Sequence, residues 1–147
     1  MHAPCAGTVR DLSDVPDVVF CERMLGPGLA LDPFAFSTQV LAPVDGTLVA
    51  VHPHAFALRA GDGRGVLVHL GLDTVELAGR GFVIHRSVGE PVRTGDLLLT
   101  WDPVDVAAAG RTLSCPVIAL QADPADLALL ALPGQDVVAG QPLFAWS

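Results

Sequence analysis

The chain has 147 residues, 51% of them hydrophobic and 16% charged, which is the size and apolar content of one folded domain and excludes a disordered acidic chain. Its formal net charge is −8, and an acidic surface repels phosphate backbones, so nucleic acid is not an expected partner. All 8 basic residues are arginines, which excludes lysine Schiff-base chemistry, the lysine of a phosphate-binding loop and any biotin or lipoyl attachment site.

Charges interrupt every apolar run well short of the roughly 18 residues that a spanning helix needs, so no membrane insertion is expected. The first residues have neither the positive region nor the apolar stretch of a signal peptide. Cys5, Cys21 and Cys115 are odd in number, widely spaced and without a CxxC pair. They read as small apolar residues kept as thiols in a cytoplasmic protein.

In chain order, β-type runs fall at 18–20, 37–41, 47–51, 55–59, 66–70, 96–101, 116–120 and 143–146. Short helices are predicted at 104–109 and at 126–132, the second because Asp123-Pro124 precedes it as a start signal. Glycine (15) and proline (12) punctuate the whole length without a linker, so residues 1–147 are expected to form a single domain. The fold class expected is all-β: an antiparallel sandwich or barrel with hairpin and Greek-key-like connections and one or two short helices. Weak internal echoes, APCAGTV at 3–9 against APVDGTL at 42–48, fit a barrel with glycine corners.

Three of the five histidines lie in two adjacent β segments. His52 and His54 precede the strand at 55–59, and His69 follows Val66-Leu67-Val68. The glycine-rich turn at 60–65 would pair these strands antiparallel and bring His54 roughly opposite His69. Cross-strand neighbours stand about 4.5–5.5 Å apart at Cβ. Two facing imidazoles suit two chemistries. One ring can attack a phosphorus while the other donates to the phosphoryl oxygens, with apolar neighbours helping to keep both rings neutral. Alternatively, His52 or His54 with His69 and Asp73 supplies the inventory of an open zinc site, and hence a zinc-dependent hydrolase.

Four blocks then occur in order: DVPDVVF at 14–20, APVDGT at 42–47, HAF at 54–56 and HLGLDTVEL at 69–77. Together they closely resemble the glucose-type enzyme IIA domain of the bacterial phosphoenolpyruvate-dependent sugar phosphotransferase system, from about residue 3 to the C-terminus. The resemblance implies an antiparallel β-sandwich and a phosphotransferase component that carries its phosphoryl group on His69. That group would come from the histidine of the carrier protein HPr and pass to a cysteine on a IIB domain of a sugar permease. His54 matches the second histidine, which holds the phosphoryl group for onward transfer. Asp17 and Asp73 match acidic positions of the docking face, and Val18, Val19, Phe20, Met24 and Leu25 its apolar floor. No cofactor is implied; a zinc ion would be held by His54 and His69 only in a complex with a partner. Other enzymes that read the phosphorylation state are further implied partners.

The sequence departs from the family at His52, where relatives usually carry threonine, and at Ala50, where they often carry an aromatic residue. The hydrolase reading, by contrast, leaves DVPDVVF and the DTVEL continuation without a role.

Overall fold

The computed structural model describes residues 1–147. Thirteen strands form it: β1 (Gly7–Arg10), β2 (Gly28–Pro33), β3 (Gln39–Leu41), β4 (Gly46–His52), β5 (Ala55–Arg59), β6 (Gly65–His69), β7 (Phe82–Ile84), β8 (Pro91–Val92), β9 (Leu97–Trp101), β10 (Cys115–Ala119), β11 (Leu127–Leu129), β12 (Asp136–Val137) and β13 (Phe144–Trp146). All pairings are antiparallel, in a large sheet ordered β12-β1-β2-β10-β6-β5-β4-β8 and two small ones, β3-β9-β7 and β11-β13. One hydrophobic cluster joins the three, with Val9, Leu31 and Val68 from the large sheet meeting Val40, Leu99 and Phe144 from the small ones. This is the all-β antiparallel sandwich expected from the runs of short strands.

Two elements differ from expectation. Residues 18–20 are not a strand but the first turn of a short helix, α1 (Val18–Cys21). Val and Phe favour strands by packing on a pleated surface, yet here Asp17 accepts a hydrogen bond from the Val19 N–H at 2.9 Å and caps a helical turn. The second predicted helix, 126–132, is also absent. Asp123 caps only a 3₁₀ turn over Pro124–Asp126, and the chain continues into β11, where Leu127 pairs with Trp146. Asp123 does cap the turn, but the residues after it pair with β13 instead of continuing as a helix. The predicted helix at 104–109 is present as α2 (Pro103–Ala108).

A smaller cluster sits on the opposite, outer face of the large sheet, where Leu12, Val15 and Phe20 pack on Ala30, Leu72 and Ile118. It pins α1 over β2, β10 and β6, beside the end of β6.

β4 contains a bulge. Leu48 pairs with Leu58 and Ala50 with Ala57, so Val49 is an extra residue. Strict alternation from buried Leu48 would send residues 50 and 52 into the core. The extra residue reverses the phase: Val51 packs on the core and His52 emerges on the outer face.

Candidate functional site

His69 closes β6, with Val66 and Val68 facing the core, so alternation puts its ring on the outer face above Leu67. Ala55 of β5 pairs with His69 on one side and with His52 of β4 on the other. The three residues therefore form a row across three strands, with the smallest in the middle. His54 occupies the tight turn between β4 and β5, one residue off this register. Its ring lies 5.2 Å from the His69 ring, edge-on at 61°, and 5.7 Å from the His52 ring, stacked at 23°. Phe20 of α1 flanks His69 from the other side, 5.5 Å between centroids. The Leu70 N–H donates to the His54 carbonyl oxygen at 2.7 Å, tying the turn to the segment after His69.

That segment fixes the protonation of the ring. His69 Nδ1 lies 2.6 Å from the carbonyl oxygen of Gly71. A carbonyl only accepts, so Nδ1 carries the proton and donates it, leaving the Nε2 lone pair free. Gly71 has φ +73°, and a Cβ there would fall 2.7 Å from Thr74 Cγ2 and 2.8 Å from the Thr112 carbonyl oxygen. The turn is held by buried anchors. Leu70 and Leu72 are packed inside, the Thr74 hydroxyl donates to the Leu70 carbonyl at 2.7 Å, and the Leu72 N–H donates to the Thr112 carbonyl at 2.9 Å. The HLGLDTVEL block is thus a strand end, a turn that only glycine fits, and three side chains that lock it.

Both facing rings are pushed towards neutrality. Burial lowers the His69 pKa, against the opposing pull of the Gly71 carbonyl and of Asp17 and Asp73. His54 is lowered by burial first and then by the charges of His69 and His52. A half-buried neutral imidazole with a free Nε2 is a nucleophile, and an adjacent imidazole is a ready hydrogen-bond donor to an anion.

Of the predicted docking residues, Asp17, Val18, Phe20 and Asp73 are brought to this end of β6. Val18 is 66% exposed, Val19 is half-buried, and Phe20 is buried between the sheet and His69. Met24 and Leu25 are exposed elsewhere, in a hollow shared with Arg59, Gly65 and Trp146 at the opposite end of β6. Val75, 60% exposed in the 3₁₀ turn after Asp73, is a further exposed apolar residue that the sequence reading did not include. Its signal was an apolar residue between Thr74 and Glu76 with no strand or long helix to bury it. Gly71 and Thr74 were likewise missed as positioning residues, because their roles depend on a turn whose partner, Thr112, is distant in sequence. No three His, Cys, Asp or Glu side chains stand together as a metal-ligand set, so the three-ligand centre of the hydrolase reading is not assembled. No helix is long and apolar enough to cross a membrane.

Three comparisons bear on this geometry. The profile of the family described as phosphoenolpyruvate-dependent sugar phosphotransferase system, EIIA 1, matches residues 1–125. The glucose-specific EIIA components of the phosphotransferase systems of Bacillus cereus and Bacillus anthracis are each 36% identical over 126 residues, covering 84% of this chain and 75% of theirs. Among solved structures, glucose permease IIA from Mycoplasma capricolum superposes with a TM-score of 0.86 at 37% identity, covering 97% of this chain and 92% of that one.

Proposed function

Because the chain belongs to the EIIA 1 family of the phosphoenolpyruvate-dependent sugar phosphotransferase system, and is therefore a phosphoryl carrier, we propose that it receives the group on His69 from phospho-HPr and passes it to the cysteine of a IIB domain. The observation that carries the choice of atom is the Nδ1–H of His69 held by the Gly71 carbonyl at 2.6 Å. It leaves Nε2 as the nitrogen with a lone pair.

In the first transfer the Nε2 lone pair attacks phosphorus. A P–N bond forms on His69 as the P–N bond to the HPr imidazole breaks, and that ring takes back its electron pair. The ring of His69 gains positive charge, which its Nδ1–H shares with the Gly71 carbonyl. His54, 5.2 Å away between centroids, donates a hydrogen bond to the phosphoryl oxygens. In the second transfer a IIB thiolate forms a P–S bond and His69 recovers its lone pair. Both partners must bring a reactive atom to one imidazole, so both use the surface around it, with Val18 and Val75 as its exposed apolar contacts and Asp17 and Asp73 as its acidic rim. The relay operates in the cytoplasm. The names of the relatives point to glucose as the sugar it serves.

The test is incubation with phosphoenolpyruvate, enzyme I and HPr, followed by intact mass and peptide mapping. The expected result is one acid-labile, base-stable phosphoryl group on His69, lost in His69→Gln. Undiminished labelling of that variant would overturn the assignment.

A further inference from the structure

The third imidazole of the site, His52, has no part in the two transfers described above. His52 is exposed, so burial does not explain its geometry, yet it stacks on His54 at 5.7 Å and 23°. Its place there depends on a specific irregularity. Without the extra residue at Val49, alternation would turn residue 52 towards the core and away from the His54 ring. The His54 backbone sits in a turn, and the next residue, Ala55, has only a methyl side chain. The aromatic neighbours of the His54 ring are His69 and His52.

We propose that His52 is a positioning residue for phosphoryl transfer: by stacking on His54 it holds that ring edge-on to His69, ready to donate to the phosphoryl group. The proposal rests on the reading that His69 carries the phosphoryl group. Stacked aromatic rings gain from an offset arrangement of this kind, and a donor held in one orientation does not have to be reoriented as charge moves. The contact has an electrical side as well. Charge on His52 disfavours charge on His54. The other groups facing the row are His69 itself, Asp17 at the α1 cap and Asp73 after β6.

The experiment compares wild type, His52→Ala, His52→Phe and His69→Gln. Each is charged with phospho-HPr and mixed by rapid quench with a purified glucose-type IIB domain, and the His54 ring is followed by ¹⁵N NMR against pH. Losing the stack in His52→Ala should slow onward transfer about threefold to tenfold while acceptance from HPr stays within about twofold. His52→Phe keeps a stacking ring and should transfer at close to the wild-type rate. Because both variants remove a nearby charge, the His54 titration midpoint should rise in both. Wild-type onward transfer by His52→Ala overturns the proposal, and so does a His52→Phe variant as slow as His52→Ala. An unmoved His54 midpoint overturns the electrical coupling. Labelling of His69→Gln would instead remove the reading on which the proposal rests.

Discussion

His54 and His69 present their rings edge-on, 5.2 Å apart, although their backbones are not paired; the residue opposite His69 is Ala55. That residue has a side chain with almost no bulk. Ala55 is only 6% exposed, so the space above it is already filled.

A larger side chain at this position would act as a wedge. Ala55→Leu should cost about 1–3 kcal/mol of stability by overpacking and should separate the two rings. Urea unfolding together with the rate of onward phosphoryl transfer checks this. A variant with unchanged transfer would mean that the ring spacing does not depend on residue 55.

Gly71→Ala should be far more damaging than the same change at Gly89. Both glycines have positive φ, but a Cβ at Gly89 meets nothing within 4 Å, whereas at Gly71 it meets Thr74 and the Thr112 carbonyl. The shared backbone strain is about 1–3 kcal/mol. Only Gly71→Ala adds a steric clash and displaces the acceptor of the His69 Nδ1–H. Equal stability and equal labelling rates in the two variants would contradict this account.

His54→Gln should accept a phosphoryl group from HPr and fail mainly in passing it on. Removing one oriented donor to a developing charge typically costs about 10²–10³ in rate. Rapid-quench transfer in both directions measures the asymmetry, and wild-type donation by the variant would rule out the role.

The acidic rim is best tested by amides and not by charge reversal. Asp17 caps α1, and Asp73 has φ +56° in the left-handed region; asparagine keeps a cap and tolerates that conformation. Asp17→Asn with Asp73→Asn should slow phosphorylation by HPr at low salt, with the gap closing as salt rises. A rate unchanged at low salt removes the rim from the docking step.

The pH dependence of stability follows from the two lowered histidines. Their ordinary value is 6.5, and both lie below it in the folded chain. As pH falls through about 6.5, the unfolded chain takes up protons that the folded rings resist, so stability present above that pH is lost on acidification. The urea midpoint should drop between about pH 7 and about pH 5, and drop less in the double variant His54→Gln, His69→Gln. Parallel curves for the two proteins would show that these rings do not carry the effect.

The β-rich class and the β4–β5–β6 meander could be read from the sequence because their signals are local: short alternating runs and a glycine-rich turn at 60–65. His69 and His54 stood out for the same reason. Non-local features could not be read this way. The strand β2 lies between β1 and β10 and was not foreseen, because Gly28 and Pro33 at its ends look like loop residues until both neighbours are in place. Val18, Val19 and Phe20 have strand propensity, and the cap from Asp17 that turns them into a helix acts at a single hydrogen bond. The Val49 bulge carries no glycine to mark it, yet it decides which way His52 faces.

The three imidazoles all lie between His52 and His69, within one three-stranded meander, whereas the large sheet is completed by joining distant parts of the chain, Gly7 of β1 with Val137 of β12. Closing short loops costs little chain entropy and closing long ones costs more, so near pairings form sooner. The expected folding order therefore places the β4–β5–β6 meander, with its histidines, before the docking of the chain's two ends. Pulse-labelled hydrogen exchange should accordingly protect the amides of β5 and β6 before those of β1 and β12.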